Sequence, residues 1–416
     1  MRGEFQREWW FFMRDRQAVM TVMAAFLLAV IAVGIGLRHV AIQHNEIAIL
    51  ENSTLADLND KLADETDPGS AAYYGFRFVY DPPSELAFAA RGVRDQLPWK
   101  HRLRLLALEG QIYEHDSGNP QLAQAGSIDY AFLIAVLVPL LIILMLHDLV
   151  HVERRNNRFD LLAVTAGNAS TTIRWRAGVR LLALTVALVL PFVLASTWSG
   201  ASALKVTWLV LTTAAYIVFW GVLVTVLARR VPTAAAAAAS LLGVWVVLVL
   251  VVPLTAASIA ERRIAVPEGG EILLQQREVV NRAWDLPEEE TMEAFVVTHP
   301  EWADYVETGD GFEWKWYYAF QQVGDQAVAD ASSALRRGVR ERDDTMAAAA
   351  WLSPPLLIDR FFTRLARTDI SAYQRYEQCA RRYHAYLRKA HYPMIFDAEP
   401  FDVGPLLALD NTKACS

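Results

Sequence analysis

Four polar residues close an otherwise apolar run: His147, Asp148, His151 and Glu153 follow residues 130–146, which carry no charge. Two histidines four apart share one face of a helix, and with carboxylates beside them they are the residue types that ligate a divalent metal. The same four residues also suit a polar anchor at a membrane edge, hydrogen-bonded between helices. The second reading is adopted, and no metal or other cofactor is expected. A basic cluster comes next, Arg154, Arg155 and Arg158, and then an amphipathic stretch over 159–164 that ends at Gly167 and Asn168. Arg174, Arg176 and Arg180 lead into another apolar run. The chemistry of this pattern is recognition rather than bond breaking. A membrane helix leaves the lipid, makes a polar excursion and returns. Phe159, Leu161 and Leu162 would be apolar anchors in a partner's groove, with Glu153, Arg154, Arg155, Arg158 and Arg174 as the polar rim.

Several chemistries are missing. There is no G-x-x-x-x-G-K-[ST], so no phosphate-cradling loop of the P-loop kind, and there is neither H-E-x-x-H nor G-x-S-x-G. No catalytic residue is nominated and no enzyme activity is expected. The formal net charge of −7 excludes nucleic acid as a partner. Cys379 and Cys415 are too few for a disulfide framework, and a single bridge between them is left open. The aromatic patch around Trp314 to Tyr318 reads as domain core or headgroup contact ahead of a ligand site.

The elements that must position these groups are membrane spans. Hydrophobic residues make up 54% of the 416 residues, more than the ~45–50% of soluble domains, and they fall in blocks. Residues 1–17 suit an interfacial helix with Phe5, Trp9, Phe12 and Met13 on one face. Spans are expected at 18–37, 129–149, 179–197, 206–227 and 233–257, because a crossing needs ~20 apolar residues. The first should continue as a helix beyond the lipid, with Ile47, Leu50, Leu55, Leu58 and Leu62 at helical spacing. Proline at 191 is tolerable where neighbours re-satisfy the freed carbonyl, and the alanines at 234–239 offer a smooth packing surface. The short loops at 150–178 and 229–230 are rich in arginine, which puts them and the amino terminus in the cytoplasm. The long segments 38–128 and 258–416 are then extracytoplasmic. The fold class is an all-α integral membrane protein with five spans and a mainly α-helical extracytoplasmic domain built from two segments. Within it, 71–91 has a strand-like aromatic start broken by Pro82 and Pro83. The run MAAAAWLSPPLLI is buried or skims the membrane, with re-entrant insertion as the alternative.

These landmarks resemble the ABC-2 type transporter permeases, most closely a bacterial subfamily with large extracytoplasmic insertions after the first and fifth spans. The likeness rests on Asn119-Pro120, Gly126 and Asp129 as lead-in, Pro139-Leu140-Leu141 within the span, Asp148 and Glu153 as an acidic pair, and Leu161-Leu162 in a leucine-rich coupling segment. The stretches DPPSELAFAARGVRDQLP and 352–369 also look like family landmarks. Asn157-Arg158-Phe159-Asp160 departs from the Glu-Gly-Thr-Leu usual there, and no sixth apolar run follows the fifth. The resemblance implies a permease subunit of an exporter in the bacterial inner membrane, a separate ATPase bound at 150–178, and a second permease, identical or paralogous. Membrane lipids and a periplasmic or outer-envelope protein are further expected partners. The substrate would be lipid-like or amphipathic. The alternative is a non-transport scaffold, or an ATPase-coupled mechanical component of an envelope complex.

Overall fold

The computed structural model describes residues 2–63, 65–114, 129–155, 169–397, 399–407 and 409. Among these residues five helices are long and apolar enough to cross a membrane. Helix α1 (Arg2–Arg14) runs into α2 (Arg16–Ala63), with the Asp15 carboxylate between them accepting from the Ala18 amide at 3.2 Å. At 48 residues α2 is about 72 Å long, more than twice the ~30 Å of a hydrocarbon core, so the first span does continue well beyond the lipid. The other crossings are α5 (Tyr130–Glu153), α6 (Ala169–Trp198), α7 (Ala203–Arg230) and α8 (Ala234–Arg263), the short α3 (Pro68–Tyr74) and α4 (Leu108–Tyr113) preceding them. Ala25, Ala29 and Ala32 put small side chains on the face that α2 turns to the bundle, which lets α6 approach closely.

Three spans carry proline, and two of them also take a π-helical turn, at Leu133–Leu137 and Val247–Val251. A proline cannot donate to the carbonyl four residues back. Near each proline a carbonyl accepts a bond from another segment, and at Pro139 one of these, Ala135 O, is the carbonyl four residues back. Ahead of Pro139, the Tyr216 hydroxyl donates to Ala135 O at 2.7 Å and the Trp245 indole to Val136 O at 3.0 Å. Ahead of Pro191, the Tyr130 hydroxyl donates to Leu188 O at 3.2 Å. Ahead of Pro253, the Ser353 hydroxyl donates to Leu248 O at 2.6 Å. These bonds tie the proline-bearing helices to their neighbours close to where the helical ladder is interrupted.

The remaining residues form a helical domain at the far end of α2. It holds α9 (Gly269–Arg282), α10 (Glu288–Val296), α11 (Trp314–Ala327), α12 (Ala329–Ala350), α13 (Pro354–Leu365), α14 (Ile370–Phe396) and α15 (Val403–Leu407). One small sheet departs from the all-α expectation: β1 (Arg77–Tyr80) pairs antiparallel with β2 (Lys100–Leu103), Arg77 opposite Leu103. Val79 and Leu103 turn inward from it onto Tyr318, Tyr383 and Phe320, so the Trp314–Tyr318 patch is core. Cys379 is also in this core and is disulfide-bonded; Cys415 lies outside the described residues.

Helix α13 leaves the domain and inserts among the spans. Its Ile358, Phe362 and Ala366 belong to the same core as Tyr130 and Phe192. Phe362 lies 5.9 Å from the Tyr130 ring, which stacks on Phe192 at 5.0 Å. Trp351 and Leu352 at the tip before it are 79% and 71% exposed, and Ser353 is bonded to Leu248 O midway along α8. The segment 84–93 locks the arrangement. Ala131 N donates to Ala89 O at 2.9 Å, Arg91 N to Asp129 Oδ2 at 2.8 Å, and Thr368 Oγ1 to Ala90 O at 2.9 Å. The two proline-bearing stretches singled out in the sequence therefore meet.

The domain core buries two histidines on α14. Burial holds His391 down to about 4; burial, then the Arg388 charge, holds His384 well below its ordinary value. Both are neutral when folded, whereas an unfolded histidine takes a proton near 6.5. Their stability contribution is complete above pH 6.5 and is lost as pH falls toward 4, by about 3 kcal/mol for His391 alone at pH 4. Tryptophan-fluorescence melts of wild type and His391→Gln measure this. The wild-type midpoint falls relative to the variant's between pH 6.5 and 4; parallel pH curves contradict it.

Candidate functional site: a charge clamp at the basic end of the bundle

The polar residues that close α5 meet α1 and the first turns of α6. Helix α6 begins at Ala169, ahead of the expected 179, so Arg174, Arg176 and Arg180 are helical and four-residue spacing puts Arg176 and Arg180 on one face. Arg176 holds two carboxylates at once. Its Nε donates to Glu8 Oε2 at 3.0 Å and its Nη1 to Glu153 Oε1 at 2.5 Å. Glu8 is 1% exposed and Glu153 6%, so both acids are taken out of water and must be paired. Arg7 adds a second donor to Glu8 at 3.2 Å, and the Phe11 ring lies 5.9 Å from the Arg176 guanidinium. One turn further on, Arg180 donates to Asp15 Oδ2 at 2.5 Å and to the Met145 carbonyl at 2.6 Å, beside the turn at 147–148 where α5 bends.

Two ion-paired arginines thus join three elements. Between them lies a cavity of about 530 Å³ lined by Arg7, Glu8, Asp15, Asp148, Glu153 and Arg176 among others. Pairs this buried are costly to break, because removing one partner strands a desolvated charge. The clamp ties α1 to the Glu153 end of α5 and to the first turns of α6.

The two histidines do not converge on a metal. His147 donates from Nδ1 to Ile143 O on its own helix at 3.0 Å. His151 donates from Nε2 to Val231 O at 2.9 Å, which ties α5 to the turn between α7 and α8. No group of three or more His, Cys, Asp or Glu is placed to hold a metal ion among the described residues. Asp148 lines the cavity, Arg155 is exposed, and Arg174 donates to Thr171 Oγ1 at 3.1 Å near the surface. Arg154 directly follows α5, within the helical piece Leu149–Arg155 that continues it. Arg158, Phe159, Leu161 and Leu162 lie outside the described residues.

Sequence reasoning missed Glu8, Asp15 and the pairing of Arg176 and Arg180. The signal was available: Glu8 sits amid the apolar face of α1, where an unpaired carboxylate would be out of place. On that face Phe12 packs on Ala18 and Val179 and Phe5 is partly buried, while Trp9 and Met13 are exposed. In the alanine run at 234–239, Ala237 is buried within the chain.

Residues 270–404 match the model of a family described as Domain of unknown function (DUF3526). This stretch runs from α9 into α15 and so covers most of the helical domain and α13. No curated protein and no solved structure matches the chain.

Proposed function

We propose that the chain is the permease subunit of an ABC exporter in the bacterial inner membrane, driven by a separate ATPase bound at residues 150–178. The amino terminus and the basic end face the cytoplasm, and the helical domain faces outward. The observation that carries this reading is the Arg176 clamp. A polar segment leaves from Glu153 and returns at Ala169, and the two helices it joins are bolted to each other and to α1. A partner pushing on that segment would move α1, α5 and α6 together, which is the rigid-body element that alternating access needs.

Three further features support the reading. A disulfide at Cys379 suits an oxidising compartment, hence a domain outside the cell. Helix α8 buries 11% of its span inside the chain against 61% for α5, which leaves a broad apolar face (Leu242, Val246, Leu250) for a second permease. The nearly uncharged spans suit a lipid-like or amphipathic substrate.

The test is on the anchors. Leu161→Glu with Leu162→Glu is expected to abolish stimulation of the ATPase by this subunit while the protein still inserts and the helical domain still folds. Unchanged stimulation overturns the docking assignment.

A further inference from the structure

Three arginines line one cleft at the seam between the bundle and the helical domain. Arg367, Arg375 and Arg382 are exposed and border a cavity of about 610 Å³, closed on the other side by residues 80–85. Arg375 and Arg382 are two turns apart on α14 and therefore share a face. Arg367 precedes that helix with φ 55, a left-handed conformation that costs a non-glycine residue roughly 1–2 kcal/mol. It is held there by its neighbours, since Thr368 accepts from Val93 N at 2.9 Å and bonds Ala90 O.

Among the described residues the positive charge in the cleft is not neutralised by ion pairs. Asp81 is paired with Arg94, and Glu85 faces Lys205 at 3.6 Å. None of the three arginines has an ion pair among the described residues; Arg375 makes one 3.3 Å contact with the Ser371 hydroxyl. Asp81 and Glu85 also line the cleft, but each already has another cation beside it, and clustered guanidinium groups with no carboxylate of their own in ion-pair distance are suited to the several oxygens of a phosphate. The depth of the cleft narrows the source. Ala366, the residue before Arg367, is buried in the bundle core and its carbonyl accepts from Ser84 Oγ at 2.5 Å. Arg367 thus stands where the apolar bundle ends, at the level of lipid headgroups.

We propose that this cleft binds a phosphate-bearing anion, the headgroup of an anionic phospholipid in the facing leaflet. The inference stands on the cleft alone and does not need the permease reading. Fluorescent phosphatidylglycerol is titrated into the purified full chain in neutral detergent, with inorganic phosphate as competitor. Saturable binding is expected, weakened at least tenfold in Arg375→Gln/Arg382→Gln and unchanged in Arg277→Gln/Arg282→Gln, which removes equal charge from exposed α9. Displacement by millimolar phosphate assigns recognition to the phosphate group itself, and persistence of the lipid assigns it to headgroup and tail together; both outcomes support the site. Absence of saturable binding, or equal affinity in wild type and the α14 variant, overturns it. So does equal weakening by the α9 variant. Both double variants change exposed side chains, so unaltered melting checks that the comparison is between folded proteins.

Discussion

Arg176→Gln is expected to cost about 3–5 kcal/mol of stability, the range for removing one partner of a buried ion pair. The reason is the pair of acids it holds. Glu8 retains Arg7, but Glu153, 6% exposed, loses the cation that Arg176 brings to it at 2.5 Å. Glutamine can donate one hydrogen bond but supplies no charge. The variant's acids should then repel or take up protons, and α1 should detach from α6. Combining Arg176→Gln with Glu153→Gln should recover part of the loss, because the stranded charge is gone; the double-mutant cycle gives a coupling well above the ~0.5 kcal/mol of a surface pair. Thermal unfolding in detergent, with protease sensitivity of the amino terminus, measures both effects. A loss below about 1 kcal/mol for Arg176→Gln would mean that water reaches the clamp and that it behaves as a surface pair.

Gly36→Val should be the most damaging substitution in α2. A Cβ at Gly36 would stand 1.9 Å from the Phe88 carbonyl oxygen, and that oxygen belongs to backbone that no rotamer can move aside. Relief requires lifting segment 84–93 off α2. That segment holds the amino end of α5 through Ala89 and Arg91, and the end of α13 through Ala90. Overpacking alone costs 1–3 kcal/mol, and each stranded buried polar group adds about 1–3 more, so a loss of at least 3 kcal/mol is expected. Gly34 is the control, two residues away in the same helix. Nothing lies within 4 Å of a Cβ placed there, so Gly34→Ala should be neutral or stabilising by about 0.5–1 kcal/mol through helix propensity. Melting temperatures and monodispersity of the two variants are the readout. Similar behaviour of the two would contradict the close crossing of segment 84–93 over Gly36.

The spans were legible because their signal is local: long uncharged runs ended by Arg38, Arg229 and Arg230 can be read without knowing what they touch. The continuation of α2 was legible for the same reason, through leucines at helical spacing. Pro191 announced an interruption of the helical ladder; the Leu188 carbonyl near it does accept from another helix, but the donor, Tyr130, is far away in the chain and no local pattern names it. The clamp was half legible. Arginines after the polar excursion were visible, but Arg176 and Arg180 looked like loop charges on the near side of a span because arginine inside a span is expensive unless paired. Their partners, Glu8 and Asp15, are more than 160 residues earlier. The β hairpin was seen only at its first strand, since Lys100–Leu103 is four residues with three of them polar or basic and takes its conformation from pairing with Arg77–Tyr80. Insertion of α13 among the spans was legible only as the alternative to a buried or membrane-skimming run. Its prolines break the apolar run in sequence, while in the fold Ser353 and Pro354 simply start a new helix whose buried face completes the bundle.

The most direct test of the permease reading is purification in mild detergent of the wild-type chain co-expressed with the genes beside it, with subunits identified by mass and ATPase turnover assayed. The proposal predicts a stable complex of two membrane subunits with a P-loop ATPase and vanadate-sensitive turnover. Recovery of the chain alone, or with envelope proteins and no ATPase, would contradict it and favour a scaffold in which the Arg176 clamp only braces the bundle.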